Sequence, residues 1–145
     1  MTLKHFARVL GGALGALVFA AATQAATLEV AVTNVLNTRG RVHVELCPEA
    51  LFLKDCTIFA EAPAQVGTTI VRIEHVPPGK YAAQAYHDEN SNGKVDRGLF
   101  GIPLEGVGFS NDAKLRRRGP SFEDAAFDFG GRPGERITLR LRHFL

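Results

Sequence analysis

Hydrophobic and polar residues alternate along two early stretches of the chain, residues 28–32 and 42–46, with a turn over residues 37–40 between them. Because successive side chains of a strand point to opposite faces of a sheet, this period of two predicts strands with one buried face. We expect the two strands to pair with each other as a hairpin. Their inward positions are Leu28, Val30, Val32, Val42, Val44 and Leu46.

The same period recurs in the rest of the chain, and no apolar run of the mature chain has the length of a helix. Pro77-Pro78-Gly79 and residues 130–134 are turns between strands. About seven short strands separated by turns predict an all-β fold, an antiparallel β-sandwich of the immunoglobulin-like or transthyretin-like type. The further strands are expected at residues 57–62, 69–74, 81–87, 127–129 and 137–142. Their inward positions include Thr69, Val71, Ile73, Tyr81, Ala83, Ala85, Ile137, Leu139 and Leu141.

Residues 97–124 form a long irregular segment within this pattern. The segment is rich in glycine, and it is longer than the connections that compact domains ordinarily use. Long anchored loops on a rigid scaffold often carry function, although a structural flap over one end of the core fits equally well. Ser121 followed by Asp124 predicts one helical turn. Four apolar residues are spaced as anchors against a sheet: Phe100, Ile102, Phe109 and Phe122.

The strongest candidate site is the acidic loop, residues 88–96. Gly93 lies at the sixth position, where calcium loops turn sharply, and Ca²⁺ takes six to eight oxygen ligands from such a loop. The sequence therefore predicts a calcium site. The alternative is an Asx-rich turn after a strand, since Asn, Asp and Gly are also turn residues. Oxygen-bearing side chains occupy the first, third, fifth and ninth positions: Asp88, Asn90, Asn92 and Asp96.

The acidic loop is not a complete EF-hand loop. Lys94 offers its carbonyl at the seventh position, where such loops use a backbone oxygen, but Leu99 stands at the twelfth, where an EF-hand has a bidentate Glu. A closing carboxylate must therefore come from another part of the chain. Glu105 is the nearest candidate in sequence, and Asp112 and Asp124 are more distant.

The start of the chain has the features of an export signal. Lys4 and Arg8 precede a small apolar run, and Thr23-Gln24-Ala25 offers small residues at the two positions that signal peptidase reads. The run is shorter than a membrane-spanning helix requires. We expect residues 1–25 to be removed, which leaves one β-sandwich domain at 26–145 with no transmembrane span and a periplasmic or secreted location.

Removal of the signal also changes the charge of the protein. The whole chain has 17 Lys and Arg against 15 Asp and Glu, so the loss of Lys4 and Arg8 leaves 15 against 15. The mature protein is then near neutral. Because nucleic-acid binding loses its compositional support, we expect no nucleic-acid partner.

Cys47 and Cys56 are the only cysteines, with eight residues between them. Disulfides persist in oxidising compartments, so export predicts a bond between the pair. A loop of this size stabilises a fold by about 2.5–3 kcal/mol in the chain-entropy description. The alternative is two free structural thiols. Without Cys-x-x-Cys spacing, we expect no catalytic thiol chemistry.

Arg116-Arg117-Arg118 is the one dense positive cluster of the mature chain. Such a cluster can hold a phosphate, a carboxylate or an anionic membrane surface. The alternative is a solvated face that Glu123 and Asp124 partner. Together with the aromatic residue Phe109, the arginines are the candidate ligand-binding surface.

Enzymatic chemistry has little support. Residues 108–112, Gly-Phe-Ser-Asn-Asp, lack the last glycine of a nucleophile elbow and its strand-turn-helix context. We therefore expect Ser110 to be a cap or turn residue. Since no histidine is paired with a nucleophile in the sequence, the roles that a catalytic site requires remain unfilled, and we expect no enzyme.

Several short motifs between residues 79 and 125 carry a family resemblance. They are Gly79-Lys80-Tyr81, His87-Asp88-Glu89-Asn90, Asn92-Gly93-Lys94-Val95-Asp96, Phe100-Gly101-Ile102-Pro103, Glu105-Gly106, Gly108-Phe109-Ser110-Asn111 and Pro120-Ser121-Phe122-Glu123-Asp124-Ala125. The chain resembles an uncharacterised family of secreted bacterial proteins, domain-of-unknown-function family 2141, over nearly all of its mature length. The resemblance implies an exported β-sandwich and supplies no activity. The cysteine pair and the arginine triple are not part of the family pattern.

The sequence leaves three functions open. The first is a non-enzymatic envelope protein whose acidic loop binds Ca²⁺ and orders residues 97–124 into a surface for an unknown envelope ligand or protein. The second is a metal-free module for a small ligand or an envelope polymer, which uses the arginine and aromatic residues of that segment. The third is a small hydrolase. By analogy only, the acidic loop also resembles calcium loops of bacterial surface β-sandwich modules, which favours the first.

Overall fold

A computed structural model describes residues 25–144, which form eight strands in two sheets. The predicted all-β fold is therefore confirmed. The export signal lies outside the described residues except for Ala25. Besides three short 3-10 turns there is one four-residue helix, α1 (Phe122–Ala125). The strands are β1 (Ala26–Val35), β2 (Arg41–Cys47), β3 (Ile58–Pro63), β4 (Gly67–Val76), β5 (Gly79–Asp88), β6 (Val107–Phe109), β7 (Ala126–Phe129) and β8 (Arg136–Arg140).

The two sheets form the layers of a sandwich. One sheet has the order β4-β1-β8, and the other has the order β3-β2-β5-β6, with β7 also paired to β5. Every pair is antiparallel except β1 with β8, which run parallel. The predicted sandwich thus contains one parallel pair.

β1 and β2 do not pair as a hairpin, so that prediction is wrong. β1 pairs with β4 and β8, whereas β2 pairs with β3 and β5 in the other sheet. The turn after β1 therefore carries the chain from one sheet to the other. Alternation indicates that both strands bury one face in the same core, but it does not distinguish neighbours within a sheet from strands that face each other across a sandwich.

The main core lies between the sheets and contains the predicted inward residues. The strands direct alternate side chains into this core, as the period of two requires. Burial of this apolar surface is the main favourable term in folding. The predicted inward residues that the core includes are Leu28, Val30, Val32, Val42, Val44, Leu46, Val71, Ile73, Tyr81, Ala83, Ala85, Leu139 and Leu141.

A second, smaller apolar cluster lies beneath the loop between β2 and β3. Cys47 and Cys56 form the predicted disulfide across this loop, with their Cα atoms 5.3 Å apart. The ring of Phe52 packs edge-to-face against Phe109 and Phe122, with centroids 6.1 and 5.8 Å away. These two phenylalanines are therefore anchors of residues 97–124, as predicted. The buried members of the cluster are Cys47, Phe52, Cys56, Ala82, Phe109, Ala113 and Ala125.

Residues 97–124 are less irregular than expected. They contain the strand β6, which pairs with Gln84–Tyr86 of β5. The sequence pattern did not predict this strand because three residues with a central glycine are too short to show hydrophobic alternation. The helical turn predicted after Ser121 is present, and the Ser121 side chain accepts a hydrogen bond from the backbone N–H of Asp124.

Phe100 and Ile102 are not anchors, so that part of the prediction is wrong. The Phe100 side chain is 91% exposed and that of Ile102 is 42% exposed. Both lie in a short hairpin, residues 97–103, which a bridge between Arg97 and Pro103 closes. The spacing of apolar residues does not distinguish a side chain that packs on a sheet from one that faces solvent.

Candidate functional site

The acidic loop begins where β5 ends and curls back over that end. Asp88 is 3% exposed, and its Oδ1 accepts a hydrogen bond from the backbone N–H of Asn92 at 3.0 Å. Its Oδ2 accepts from the N–H of Gly93 at 2.8 Å. Gly93 has φ +78°, a left-handed conformation that glycine adopts without strain. The first candidate ligand is therefore held in place by backbone donors.

Asp96 closes the acidic loop together with two asparagines. Its Oδ1 accepts from Nδ2 of Asn92 at 2.8 Å, and its Oδ2 accepts from Nδ2 of Asn90 at 2.5 Å. The Oδ1 atoms of Asn90 and Asn92 accept from the backbone N–H groups of Asn92 and Lys94, at 3.2 and 3.1 Å. The structure thus brings the four predicted side-chain ligands together within one loop.

Glu105 reaches the acidic loop from beyond the 97–103 hairpin. It is 6% exposed; its Oε1 accepts from the N–H of Glu89 at 2.9 Å, and its Oε2 accepts from the N–H of Asp96 at 3.0 Å. The N–H of Leu104 also donates to the carbonyl oxygen of Asp96 at 2.8 Å. A carboxylate from outside the loop therefore joins its beginning to its end.

The two more distant carboxylate candidates lie elsewhere. Asp112 pairs with Arg142 at 2.6 Å. Asp124 belongs to α1, and its Oδ2 is 3.9 Å from a guanidinium nitrogen of Arg116. Of the three carboxylates named for closing the acidic loop, Glu105 is the one that contacts it.

Three carboxylates at the acidic loop lack a cationic partner among the described residues, whereas Glu89 is paired with Arg39. Among residues 25–144, no Lys or Arg lies within ion-pair distance of Asp88, Asp96 or Glu105. Backbone N–H groups and asparagine amides donate to them instead. Burial of an ionised carboxylate costs free energy unless hydrogen bonds and an opposite charge compensate it. The loop is therefore electrostatically suited to a cation.

In this structure hydrogen bonds close the acidic loop. Within the described residues, the one set of three His, Cys, Asp or Glu ligand atoms lying within 4.8 Å of one another belongs to Glu45, Cys47 and Cys56. The sulfurs of that set form the disulfide and are not available to a metal. For Ca²⁺ to bind in the acidic loop, the asparagine amides that donate to Asp96 must turn their oxygens inward.

The turn between β1 and β2 supports the acidic loop from outside. Gly40 has φ +64°, and a Cβ at this position would lie 1.9 Å from the carbonyl oxygen of Asp88. The Arg39 side chain pairs with Glu89, and the backbone carbonyl oxygen of Arg39 is 2.7 Å from Nε2 of His87. Since His87 is fully buried in this contact, it is a packing residue beside the loop.

A groove of about 760 Å³ adjoins the acidic loop. Its floor is the outer face of the five-stranded sheet, where Gln84 and Tyr86 alternate with the core residues of β5. Residues 93–95 and the 97–103 hairpin line one side, and residues 53–55 and 115–119 line another. The groove contains all the residues predicted to bind a ligand: Phe109, Arg116, Arg117 and Arg118.

The groove is positively charged. Arg116 lies 3.9 Å from Asp124, and both side chains are exposed, so this pair contributes little. Glu123 pairs with Lys80 instead. Within residues 25–144, Arg117 has no carboxylate at ion-pair distance, and neither does Arg118. Six cationic residues line the groove against Glu45 and Asp55: Lys54, Lys94, Arg97, Arg116, Arg117 and Arg118.

A buried histidine lies at the edge of the groove floor, and the sequence pattern did not reveal its role. His43 Nδ1 is 2.9 Å from Oε1 of Glu61, and Nε2 is 3.0 Å from Oε1 of Glu45. The ring lies near those of Phe59 and Tyr86, with centroids 5.3 and 4.8 Å away. His43 therefore joins three strands of the sheet.

The charges around His43 favour its protonated form. Burial by itself lowers the pKa of His43, but the hydrogen bonds to Glu45 and Glu61 outweigh burial and raise the pKa above 6.5. The hydrogen bond from His43 in turn lowers the pKa of Glu61. Burial, reinforced by the negative charge of Glu45, raises the pKa of Tyr86 to about 12, so the phenol remains a neutral hydrogen-bond donor.

The His43 cluster depends on strand register. His43 is paired with Glu61 of β3 and with Tyr86 of β5. The sequence feature that could have revealed this cluster was the presence of His43 and Glu45 at alternate, outward positions of one predicted strand. The partner strands were not evident from alternation.

Ser110 has a structural role. It is buried, its Oγ accepts from the N–H of Ala83 at 2.8 Å, and the hydroxyl donates to the carbonyl oxygen of Ala125 at 2.5 Å. A 3-10 turn follows β6 in place of the helix of a nucleophile elbow. Ser110 therefore joins β5 to the end of α1.

A family model described as "Uncharacterized protein conserved in bacteria (DUF2141)" matches residues 30–137. The chain belongs to the DUF2141 family. The acidic loop, the His43 cluster, the arginines and the disulfide of this DUF2141 protein all lie within the matched part. No curated protein and no solved structure matches the chain. Between residues 25 and 144, no helix of the DUF2141 protein has the length and apolarity needed to cross a membrane.

Proposed function

We propose that this DUF2141 protein is an exported, non-enzymatic binding module of the cell envelope and that Ca²⁺ stabilises its acidic loop. One observation carries the calcium proposal. Asp88 and Asp96 belong to the acidic loop, and Glu105 is hydrogen-bonded to its backbone; two of these carboxylates are nearly fully buried, and no Lys or Arg among residues 25–144 lies within ion-pair distance of any of the three. A hard cation with oxygen ligands supplies the missing charge.

The proposed ligands come from the acidic loop and from Glu105. The hydrogen bonds that Asp88 and Glu105 accept leave a further lone pair on each carboxylate oxygen, since such an oxygen has two. The carbonyl of Lys94 supplies a backbone oxygen. Turning the two asparagine amides replaces their N–H donors by oxygen ligands. The full set is Asp88, Asn90, Asn92, Lys94, Asp96 and Glu105.

Calcium would order the groove through the same contacts. Asp96 binds the backbone of Leu104, and Glu105 binds the backbone of Asp96, so the loop and the 97–103 hairpin are joined directly. The hairpin is one side of the groove. An ion that holds the loop therefore also holds a wall of the surface on which we propose that an envelope ligand binds.

The test is thermal unfolding of the exported protein in millimolar calcium and in chelator. Binding to the folded state alone raises stability by about 2.7 kcal/mol at a hundredfold excess over Kd, so the melting temperature should rise with calcium. Asp88→Asn with Asp96→Asn should abolish the rise. Asp55→Asn with Asp128→Asn is the matched control, since both residues are exposed and outside the acidic loop. Identical wild-type curves in calcium and chelator would contradict the proposal.

The positive groove favours a second candidate function. If calcium has no effect, a metal-free module for a small anionic ligand or an envelope polymer becomes the preferred function. Arg116, Arg117 and Arg118 would contact the anion, and Phe109 with Tyr86 would provide the aromatic floor. We propose no hydrolase, because the Ser110 hydroxyl is bonded to backbone groups and His43 lies between two carboxylates.

A further inference from the structure

The 97–103 hairpin displays apolar side chains in water. Phe100 is 91% exposed and Leu99 78% exposed, the highest values for large apolar residues between residues 25 and 144. Ile102 and Leu104 are 42% and 50% exposed. Isolated exposed apolar residues are common on proteins, but four within six positions form a patch, and such patches mark interaction surfaces.

Hydrogen bonds hold this hairpin in one shape. The N–H of Gly98 donates to the carbonyl oxygen of Ile102 at 2.8 Å, and Nη1 of Arg97 donates to that of Gly101 at 3.0 Å. Phe100 has φ +60°, a conformation that bulky residues seldom adopt. The apolar side chains are therefore presented by an ordered backbone, which lowers the entropic cost of binding.

Cationic side chains surround the groove beside the hairpin. Phe100 itself lines this groove, so the apolar tip of the hairpin, Leu99 and Phe100, lies on the same side of the molecule as the cations. Glu45, the half-buried acid of the groove floor, is hydrogen-bonded to His43 and Gln84, and Asp55 is the other acid that lines the groove. The surface is thus positive although the mature chain is balanced in charge. The exposed cations are Lys54, Lys94, Arg97, Arg116, Arg117 and Arg118.

We infer that this surface docks on an anionic lipid bilayer, with Leu99 and Phe100 entering its apolar layer. An apolar tip flanked by Lys and Arg matches the two layers of a membrane interface, where acyl chains lie beneath anionic phosphates. A pocket for a small soluble anion would use the arginines but leave the tip in water. Charge complementarity at the tip therefore favours a lipid surface.

Membrane docking does not depend on calcium binding. Glu105 joins the acidic loop to the hairpin side through backbone hydrogen bonds that require no ion. Vesicle binding is therefore measured in chelator, which also prevents calcium from bridging anionic lipids directly. A failure of the calcium proposal leaves the expected vesicle result unchanged.

The first experiment is co-sedimentation of the exported protein, its N-terminus verified by mass spectrometry, with phosphatidylcholine vesicles or equal mixtures with phosphatidylglycerol. We expect binding to the mixed vesicles alone, weakened by salt. Leu99→Ser with Phe100→Ser should reduce binding about tenfold or more. Replacing the arginine triple by Gln should reduce binding roughly a hundredfold. Ile70→Thr, a partly exposed position of β4, should change nothing.

The second experiment measures insertion directly. The chain contains no tryptophan, so Phe100→Trp introduces a single fluorescent reporter at the tip. Its emission should shift to shorter wavelength with mixed vesicles, and brominated acyl chains should quench it. Val66→Trp, at another exposed apolar position between β3 and β4, should show neither effect.

Each contrary result would overturn membrane docking in a recognisable way. Absence of vesicle binding would leave a protein partner as the occupant of the tip. Displacement by millimolar glycerol phosphate would indicate a pocket for a soluble anion. Equal losses for Ile70→Thr and for the Leu99–Phe100 double variant would indicate non-specific adhesion, and a Phe100→Trp emission that does not move would exclude insertion.

Discussion

The two ends of the five-stranded sheet are held together by different forces. At one end Cys47 pairs with Ala82 across β2 and β5, and a disulfide and apolar rings close the structure. At the other end Arg41 pairs with Asp88, and carboxylates bonded to backbone and amide donors close it. The first end contains its own stabilising contacts, whereas the second concentrates negative charge.

This difference indicates where a ligand can act. Apolar packing and a covalent bond gain nothing from an added ion. Carboxylates without a cationic partner are stabilised by a bound cation, because an opposite charge nearby favours their ionised form. Stable proteins depart from local rules chiefly at functional sites, so the polar end and its adjoining hairpin are the region in which to look for binding.

The largest expected effect comes from breaking the disulfide end. Cys47→Ala with Cys56→Ala should lower the free energy of unfolding by about 2.5–3 kcal/mol, because the unfolded chain regains the entropy of an open loop. Urea denaturation in calcium and in chelator measures the free energy of unfolding and its increase on addition of calcium, which we call the calcium increment. The increment should not change, since the acidic loop lies at the other end. A variant that also loses its calcium response would show that the two ends are coupled.

An intermediate effect is expected from Glu105→Gln at the polar end. Glutamine keeps one acceptor oxygen, so the N–H of either Glu89 or Asp96 loses its partner, at a cost of about 1–3 kcal/mol. The calcium increment should disappear. Glu123→Gln is the control, because its exposed pair with Lys80 contributes at most about 1 kcal/mol. An undiminished calcium increment in the Glu105 variant would remove this residue from the ligand set.

The smallest effect is expected from His43→Gln, which tests a region between the two ends. The raised pKa of His43 means that protonation stabilises the folded state fully below pH 6.5, and that this contribution is lost as pH rises through the folded pKa. The difference from wild type should be below about 1 kcal/mol, since burial of the charged ring offsets much of the hydrogen-bond gain.

Thermal unfolding across neutral pH measures this effect. The stability difference between wild type and His43→Gln should be constant in mildly acidic solution and shrink as the solution becomes alkaline. Glu61→Gln, which removes one of the two carboxylates, should move the decline to lower pH. Parallel pH profiles for wild type and His43→Gln would show that folding does not raise the pKa of His43 and would contradict this prediction.

The sequence by itself determined the features that depend on near neighbours in the chain. Alternation identified the inward residues, from Leu28 in β1 to Leu141 after β8. The spacing of Cys47 and Cys56 identified the disulfide, and Ser121 before Asp124 identified a helical turn. The spacing from Asp88 to Asp96 identified the oxygen-rich loop. All of these are relations within about ten residues, where backbone geometry restricts which side chains meet.

Only the tertiary structure decided which of these elements meet. It placed β1 and β2 in different sheets, brought Glu105 rather than Asp112 to the acidic loop, and left Phe100 in solvent. It also assembled His43 with residues of two other strands. Strand pairing and loop docking depend on how the whole core packs, and residues far apart in the chain carry no local periodicity that records their contact.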